Sequence, residues 1–249
     1  MIATFPATGR GSFDHGWLKT HHSFSFAEWH DPGRVQFSAL RVLNDDVIAP
    51  AMGFGTHPHR DMEILTWVLS GHLQHQDSMG HGGRVSSGGV QYMSAGTGVH
   101  HSEVNPDGAV PLHLLQVWIL PARAGLRPRY GQRDARRDEL EAGWVQLAGP
   151  DPEVVPEPGP MPTPVAPLGE GVIPIRQDAR LSATRLAAGG TRDLEVAEGR
   201  RGYLHLALGS ATCAGHDLVA GDALGFADVE RATLVAGPNG AEALWFDLP

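Results

Sequence analysis

The sequence predicts an all-β protein built as two β-domains in tandem, and three observations carry that expectation. Short runs of β-branched and aromatic residues recur along the chain, each closed by a turn rich in Gly, Ser, Asn or Pro. The chain holds 32 Gly and 19 Pro in 249 residues, which favours turns and short strands over long helices. The two halves repeat this rhythm, and the length suits two domains better than one. The expected division is 1–137 for the first domain and 138–249 for the second.

The elements follow in order. Gln36–Leu43 alternates imperfectly and ends at the turn-like Asn44-Asp45-Asp46. Glu63–Leu69 reads as a strand stopping at Ser70-Gly71. Leu73–Gln76 leads into a polar connection through Gly80, His81, Gly82 and Gly83. Val90–Met93 is a short strand closed by Ala95–Gly98, and Leu112–Leu120 alternates well up to Pro121. Arg133–Leu140 is polar and reads as one helical turn or a solvated loop. Trp144–Leu147 resumes strand material. From Pro150 to Pro167 there are eight prolines in eighteen residues, and no central strand or helix can run through them. That stretch reads as an extended surface insertion of polyproline character at 150–167. The last third returns to strands at Val172–Arg176, Arg180–Leu186, Tyr203–Leu208, Ala211–Ala214, Ala232–Ala236 and Ala243–Asp247.

Composition narrows the function. Twenty-eight Asp and Glu against 19 Lys and Arg give a net charge of −9 with histidine neutral. A binder working through bulk phosphate attraction is excluded, so no direct nucleic-acid partner is expected. The single Cys213 excludes an intrachain disulfide and a cysteine-cluster metal site, and reads as a small buried hydrophobe. The N-terminus carries no signal-peptide pattern, and no stretch approaches the roughly 18 apolar residues of a membrane span. These features set the expectation of a soluble, cytoplasmic protein without a membrane partner. No nucleophile turn, dinucleotide loop or phosphate loop is present.

The unusual count is histidine. Of 14, twelve fall at or before His113, leaving His205 and His216 for the rest. His57-Pro58-His59 puts two imidazoles at i and i+2, on one side of an extended segment. His101 and Glu103 likewise share a face, with His100 and Ser102 turned away. Together, His57, His59, His101 and Glu103 would suit Fe(II), Mn, Ni, Cu or Zn and are too nitrogen-rich for Mg or Ca. Four protein ligands would leave up to two octahedral positions open to water, substrate or oxygen. Glu63, four residues after His59, competes with Glu103 as the carboxylate, and parity along the strands does not separate them.

Gly55–Gly71 (GTHPHRDMEILTWVLSG) resembles the first motif of the cupins, and Gly89–Asn105 (GVQYMSAGTGVHHSEVN) resembles the second. The HPHRDMEI and HHSE wordings, with His21–Pro32 (HHSFSFAEWHDP) and Leu114–Ala122 (LLQVWILPA), are similar to the bacterial members of the pirin family. The similarity is strong over roughly residues 10–135. It implies a bicupin, two β-sandwich or jelly-roll barrel domains in one chain, with metal only in the N-terminal one. It also implies the ligands His57, His59, His101 and Glu103, with Glu63 nearby or lining the pocket. The chain departs from the cupin pattern at Gly96, where proline is common.

The activity implied is that of a quercetin 2,3-dioxygenase, in which O2 opens the heterocycle of a flavonol and CO leaves. Glu103 or Glu63 would be the catalytic base. The cofactor expected is one divalent transition metal, Fe(II) first, with Mn, Ni, Cu, Zn and Co compatible. The partners expected are O2 and a small aromatic or enediol-type substrate, bound by a monomer. The alternative is a metal-binding regulatory pirin that acts through a protein partner, and a deep apolar cavity over the metal would favour the enzyme. The remaining residues have plainer readings. His21, His22 and His30 are expected to serve hydrogen bonds, His72, His75 and His81 to lie at the surface or around the site, and His113 to line the barrel or be hydrogen-bonded. Phe24, Phe26, Met52, Phe54 and Trp118 are expected to pack in the pocket or the core, the core first.

Overall fold

The computed structural model describes residues 1–154, 171–227 and 231–249. These residues form two compact units. The expected boundary is corrected at the N-terminus, because Met1–Arg10 group with the C-terminal unit. Strand β1 (Ile2–Phe5) pairs antiparallel with Ala223–Ala227, Ile2 facing Phe226. The pairing joins the two ends of the chain, so no local pattern announces it.

The N-terminal unit opens with β2 (Gly11–Asp14), β3 (Leu18–His22), β4 (Leu40–Ile48), β5 (Gly53–His59) and β6 (Glu63–Ser70). It continues with β7 (His72–Asp77), β8 (Gly82–Ser86), β9 (Gly89–Ser94), β10 (Val99–Val104), β11 (Leu112–Ile119) and β12 (Arg129–Asp134). Seven strands form one sheet in the order β12-β9-β6-β11-β4-β3-β2, and four form a second in the order β5-β10-β7-β8. A buried cluster joins the sheets: Leu18, Ile48, Val68, Leu112 and Leu114 from the larger meet Leu73 and Val85 from the smaller. Strand β6 is buried along Glu63–Leu69, as its near-continuous apolar sequence requires.

The strand expected at Gln36–Leu43 is corrected to Leu40–Ile48. Asn44-Asp45-Asp46 is therefore not a turn. It lies within β4, with Asn44 and Asp46 buried and Asp45 on the other face, where its carboxylate meets His113 at 2.7 Å. Gly96 explains the departure from proline. Its φ is +43°, which proline's ring forbids, and a Cβ there would lie 1.9 Å from the Leu126 carbonyl oxygen.

The polar stretch after β12 forms a short helix, α1 (Arg137–Ala142), that buries Leu140. The C-terminal unit then uses β13 (Val145–Pro150), and β14 (Ile173–Ile175) belongs with the N-terminal unit. It continues through β15 (Arg180–Leu186), β16 (Thr191–Glu195), β17 (Arg201–Cys213), β18 (His216–Val219), β19 (Ala223–Ala227) and β20 (Arg231–Leu248). Its strands run β1-β19-β17-β20-β15-β13, with β16 on β20 and β18 on β17. The two strands expected at Tyr203–Leu208 and Ala211–Ala214 are one, bent by a register shift at Gly209. There φ is +81° and a Cβ would lie 2.1 Å from the Gly240 oxygen. Leu204, Leu206, Leu224, Phe226 and Trp245 form the core. Cys213 is buried, which pushes its thiol up to about 11, consistent with a packing role. Of the Pro-rich insertion expected at 150–167, residues 155–167 lie outside the described residues.

Candidate metal centre

Strand β10 lies between β5 and β7, and this order assembles the site. His101 stands directly opposite His57 on β5 and Asp77 on β7. The pairing with β5 slips between His101 and Glu103, so Glu103 faces Phe54. Alternation on β5 puts His57 and His59 on one side with Pro58 exposed. The imidazoles of His57, His59 and His101 form a near-regular triangle, with centroids 4.8, 4.5 and 4.9 Å apart. One nitrogen from each lies within 4.8 Å of the others. His100 is exposed and turned away, as the parity argument expects.

Each ring is held. The Nδ1–H of His57 donates to the Gly55 carbonyl oxygen at 2.7 Å, leaving the Nε2 lone pair free. His59 packs edge-on against Trp118 at 4.9 Å. His101 is 1 % exposed, and its Nε2 has no hydrogen-bond partner in the protein. Burial, then the neighbouring His101 and His57, pushes His59 down to about 4. Burial, then His57 and His75, pushes His101 down to about 3. Both rings are neutral near pH 7 and can offer lone pairs. An orphaned buried nitrogen facing two further imidazoles fits a divalent transition metal.

Glu103 is buried beside this triangle but outside its tight set, its carboxylate lying instead with His75 and His101. Oε1 accepts from Thr66 Oγ1 at 3.0 Å and Gln91 Nε2 at 2.7 Å, and Oε2 accepts from Gln116 Nε2 at 2.5 Å. With two donors on Oε1 and one on Oε2, the carboxyl group has acceptor capacity to spare on Oε2.

Glu63 is placed elsewhere, which corrects its reading as a base or pocket residue. Its carboxylate accepts from Tyr92 Oη at 2.5 Å, Ser94 Oγ at 2.6 Å and the Arg176 backbone N–H at 3.0 Å. It does not line the cavity over the histidines. The reason is the sheet: β6 belongs to the larger sheet and β5 to the smaller, so the parity that relates His59 to Glu63 is broken between them. Glu63 is an internal brace. Changing it to alanine would leave three buried donors unpaired and is expected to cost about 3 kcal/mol or more in urea unfolding. Metal retention is expected to be unchanged, and a loss of metal without a loss of stability would restore Glu63 to the site.

A cavity of about 180 Å³ lies against the His57 and His59 corners of the triangle. Leu18, Phe26, Phe54 and Trp118 give it apolar walls, and His57, His59 and Glu103 stand at one side. Phe26, Phe54 and Trp118 are thus cavity walls, Phe24 is core, and Met52 is 43 % exposed. The lining also includes residues that sequence reasoning missed or set aside: Thr20, His22, Asn44, Asp46 and Gln116. His22 Nδ1, Asn44 Oδ1 and Asp46 Oδ1 are buried without protein partners. Of the other histidines, His21 meets Ser12 Oγ at 2.8 Å, and His72 meets Asp107 at 2.6 Å. His75 is not at the surface but 1 % exposed, beside His101. Both His/Asp/Glu clusters that could hold an ion among the described residues lie in this unit.

Comparison with known proteins bears on the same unit. A family model described as Pirin matches residues 5–119. Quercetin 2,3-dioxygenase of Escherichia coli K12 is 41 % identical over 249 residues, covering all of this chain and 99 % of that protein. The chain belongs to the pirin family. A second model, described as quercetinase C-terminal cupin domain, matches residues 165–248, and the fold is a bicupin. The structure of YhhW from Escherichia coli is similar to this pirin with a TM-score of 0.86 at 40 % identity, covering 100 % of this chain and 98 % of that one. The bacterial pirin YhhW in complex with nickel(II) gives 0.84 at 39 % identity, covering 100 % and 99 %.

Proposed function

We propose that this pirin is a metal-dependent dioxygenase that opens the heterocycle of a flavonol such as quercetin with O2 and release of CO. The observation that carries this reading is the apolar cavity against the His57 and His59 corners of three converging imidazoles, since a purely structural metal site would be closed. Its similarity to the quercetin 2,3-dioxygenase of Escherichia coli supports the substrate class. A cavity of about 180 Å³ resembles in size the roughly 150 Å³ that admits benzene. It takes one chelating ring, and the rest of a flavonol lies at the mouth.

His57, His59 and His101 would hold the metal, Fe(II) first among divalent ions, with Glu103 completing the set. When bound, the metal supplies a Lewis-acid seat for an enediol-type oxygen pair and a redox route to dioxygen. Because a metal-bound carboxylate is a poor base, Glu103 would act as the base after leaving the metal. Its Oε2 carries one hydrogen bond against two on Oε1, and it takes the proton of the substrate's 3-hydroxyl. Phe26, Phe54 and Trp118 enclose the ring and exclude water. Asn44 Oδ1 accepts a hydroxyl of the substrate, and His22 and Asp46 bind beside it. Both atoms of O2 stay in the depside, one as the ester carbonyl oxygen at C2 and one as a carboxylate oxygen at C4, and C3 leaves with its own oxygen as CO.

Metal-loaded protein given quercetin in air is expected to consume one O2 and release one CO per flavonol. Fully loaded protein that produces no CO overturns the enzyme and favours the regulatory, metal-binding reading.

A further inference from the structure

We propose that Asp77 and His75 form a hydrogen-bonded relay that sets the tautomer of His101, so that Nε2 of that ring is always the metal-binding nitrogen. The proposal rests on reading His101 as a ligand, and it assigns positioning roles to two residues that touch neither substrate nor metal.

The relay is built from three side chains on adjacent strands. Asp77 Oδ2 lies 3.3 Å from His75 Nε2, and His75 Nδ1 lies 3.4 Å from His101 Nδ1. His75 and the Asp77 side chain are fully enclosed, so water does not compete for either bond. The His75 ring is fixed by stacking on Tyr130, with centroids 4.6 Å apart and planes at 13°.

The two oxygens of Asp77 divide the work. Oδ1 accepts the backbone N–H groups of Met79 and His81 at 2.8 and 3.0 Å, which closes the turn after β7. Oδ2 faces the histidines. With two backbone N–H donors on Oδ1, the group presents itself to the histidines as an acceptor.

The proton positions follow by elimination. A carboxylate oxygen can only accept, so His75 carries its proton on Nε2. Its Nδ1 then has a lone pair and must receive a proton from His101 Nδ1. That leaves His101 Nε2 bare, and this is the nitrogen with no partner in the protein. His57 reaches the same state by a shorter route, through the Gly55 carbonyl oxygen. Carboxylates and carbonyls behind metal-bound imidazoles serve this end generally.

The substitution Asp77→Asn tests the relay without dismantling the turn. Asparagine keeps the Oδ1 acceptor for Met79 and His81 and presents an NH2 where Oδ2 was. That donor forces the His75 proton onto Nδ1, and His101 then carries its own proton on Nε2, where the metal must bind. Nickel(II) titration of the full chain is expected to show a 10- to 100-fold weaker affinity for Asp77→Asn and for His75→Phe. His81→Phe, which also removes a group from Oδ2 but lies outside the chain of bonds, is expected to stay within about twofold. Long-range 1H–15N spectra of the metal-free protein are expected to move the His101 proton from Nδ1 to Nε2 in Asp77→Asn.

Unchanged affinity and an unchanged tautomer in Asp77→Asn overturn the relay, whatever happens to melting temperature. Loss of nickel in His75→Phe with full affinity in Asp77→Asn also overturns it, because His75 would then be a ligand itself. A wild-type chain that takes up no nickel removes the ligand reading, and the relay with it.

Discussion

Replacing His57 or His101 with alanine is expected to weaken retention of a divalent metal on the order of 100-fold or more, beyond the 10- to 100-fold typical of groups behind the ligands. His205→Ala is expected to leave the metal content of folded protein unchanged. The basis is the triangle of rings: each imidazole supplies one corner, and two corners alone hold first-row ions weakly. The measurement is metal per folded chain after dialysis, with circular dichroism to count folded chains. His205 is a demanding control because it is fully buried in the C-terminal unit, so its loss tests folding as severely as the ligand variants do. Equal metal loss from His205→Ala would mean that the centre is misplaced. Retention by both His57→Ala and His101→Ala would dispose of it altogether.

The residues of this triangle were legible because two short motifs carried them with the right parity. His57 and His59 share a side, and the exposed Pro58 sits between them. His75 was read as lying at the surface or around the site, and the second of these holds. It stands two residues from the buried Leu73, on the same face of β7, and the burial of Leu73 and His75 between exposed neighbours shows the alternation. Asn44-Asp45-Asp46 failed for a deeper reason. Polar residues in sequence signal turns because most polar side chains seek water, but a ligand-binding cavity also carries a few placed polar groups among its apolar walls. The strand therefore continues through the triplet to Ile48. The placement of β1 could not be read at all, since Ile2 finds its partner at Phe226.

Asp46 gives the second large effect, and its sign is determined by where it lies. Burial, opposed by a bond to Thr20 and reinforced by the charges of Asp45 and Glu103, pushes its carboxyl from 3.8 up to about 7. The folded chain thus keeps a proton between about pH 4 and pH 7 that the unfolded chain releases. Stability from this group is present in full below about pH 4 and is lost as pH rises through about 7. Asp46→Asn is neutral throughout and has no such loss. In urea unfolding of metal-free protein, the variant is expected to match wild type near pH 4. At pH 8 it is expected to exceed it by on the order of 4 kcal/mol, at 1.36 kcal/mol per pH unit. Other groups titrate over the same range in both chains, so the difference between the two isolates Asp46. Equal stability at pH 8 would mean that the carboxyl ionises in its ordinary range and that Oδ1 is solvated. A group this costly is not placed by packing, because asparagine or leucine would serve the core better. It stands in the lining of the cavity that His57 and His59 also line, with Oδ1 unpaired, so the stability it forgoes is consistent with a site shaped for a ligand with polar groups of its own.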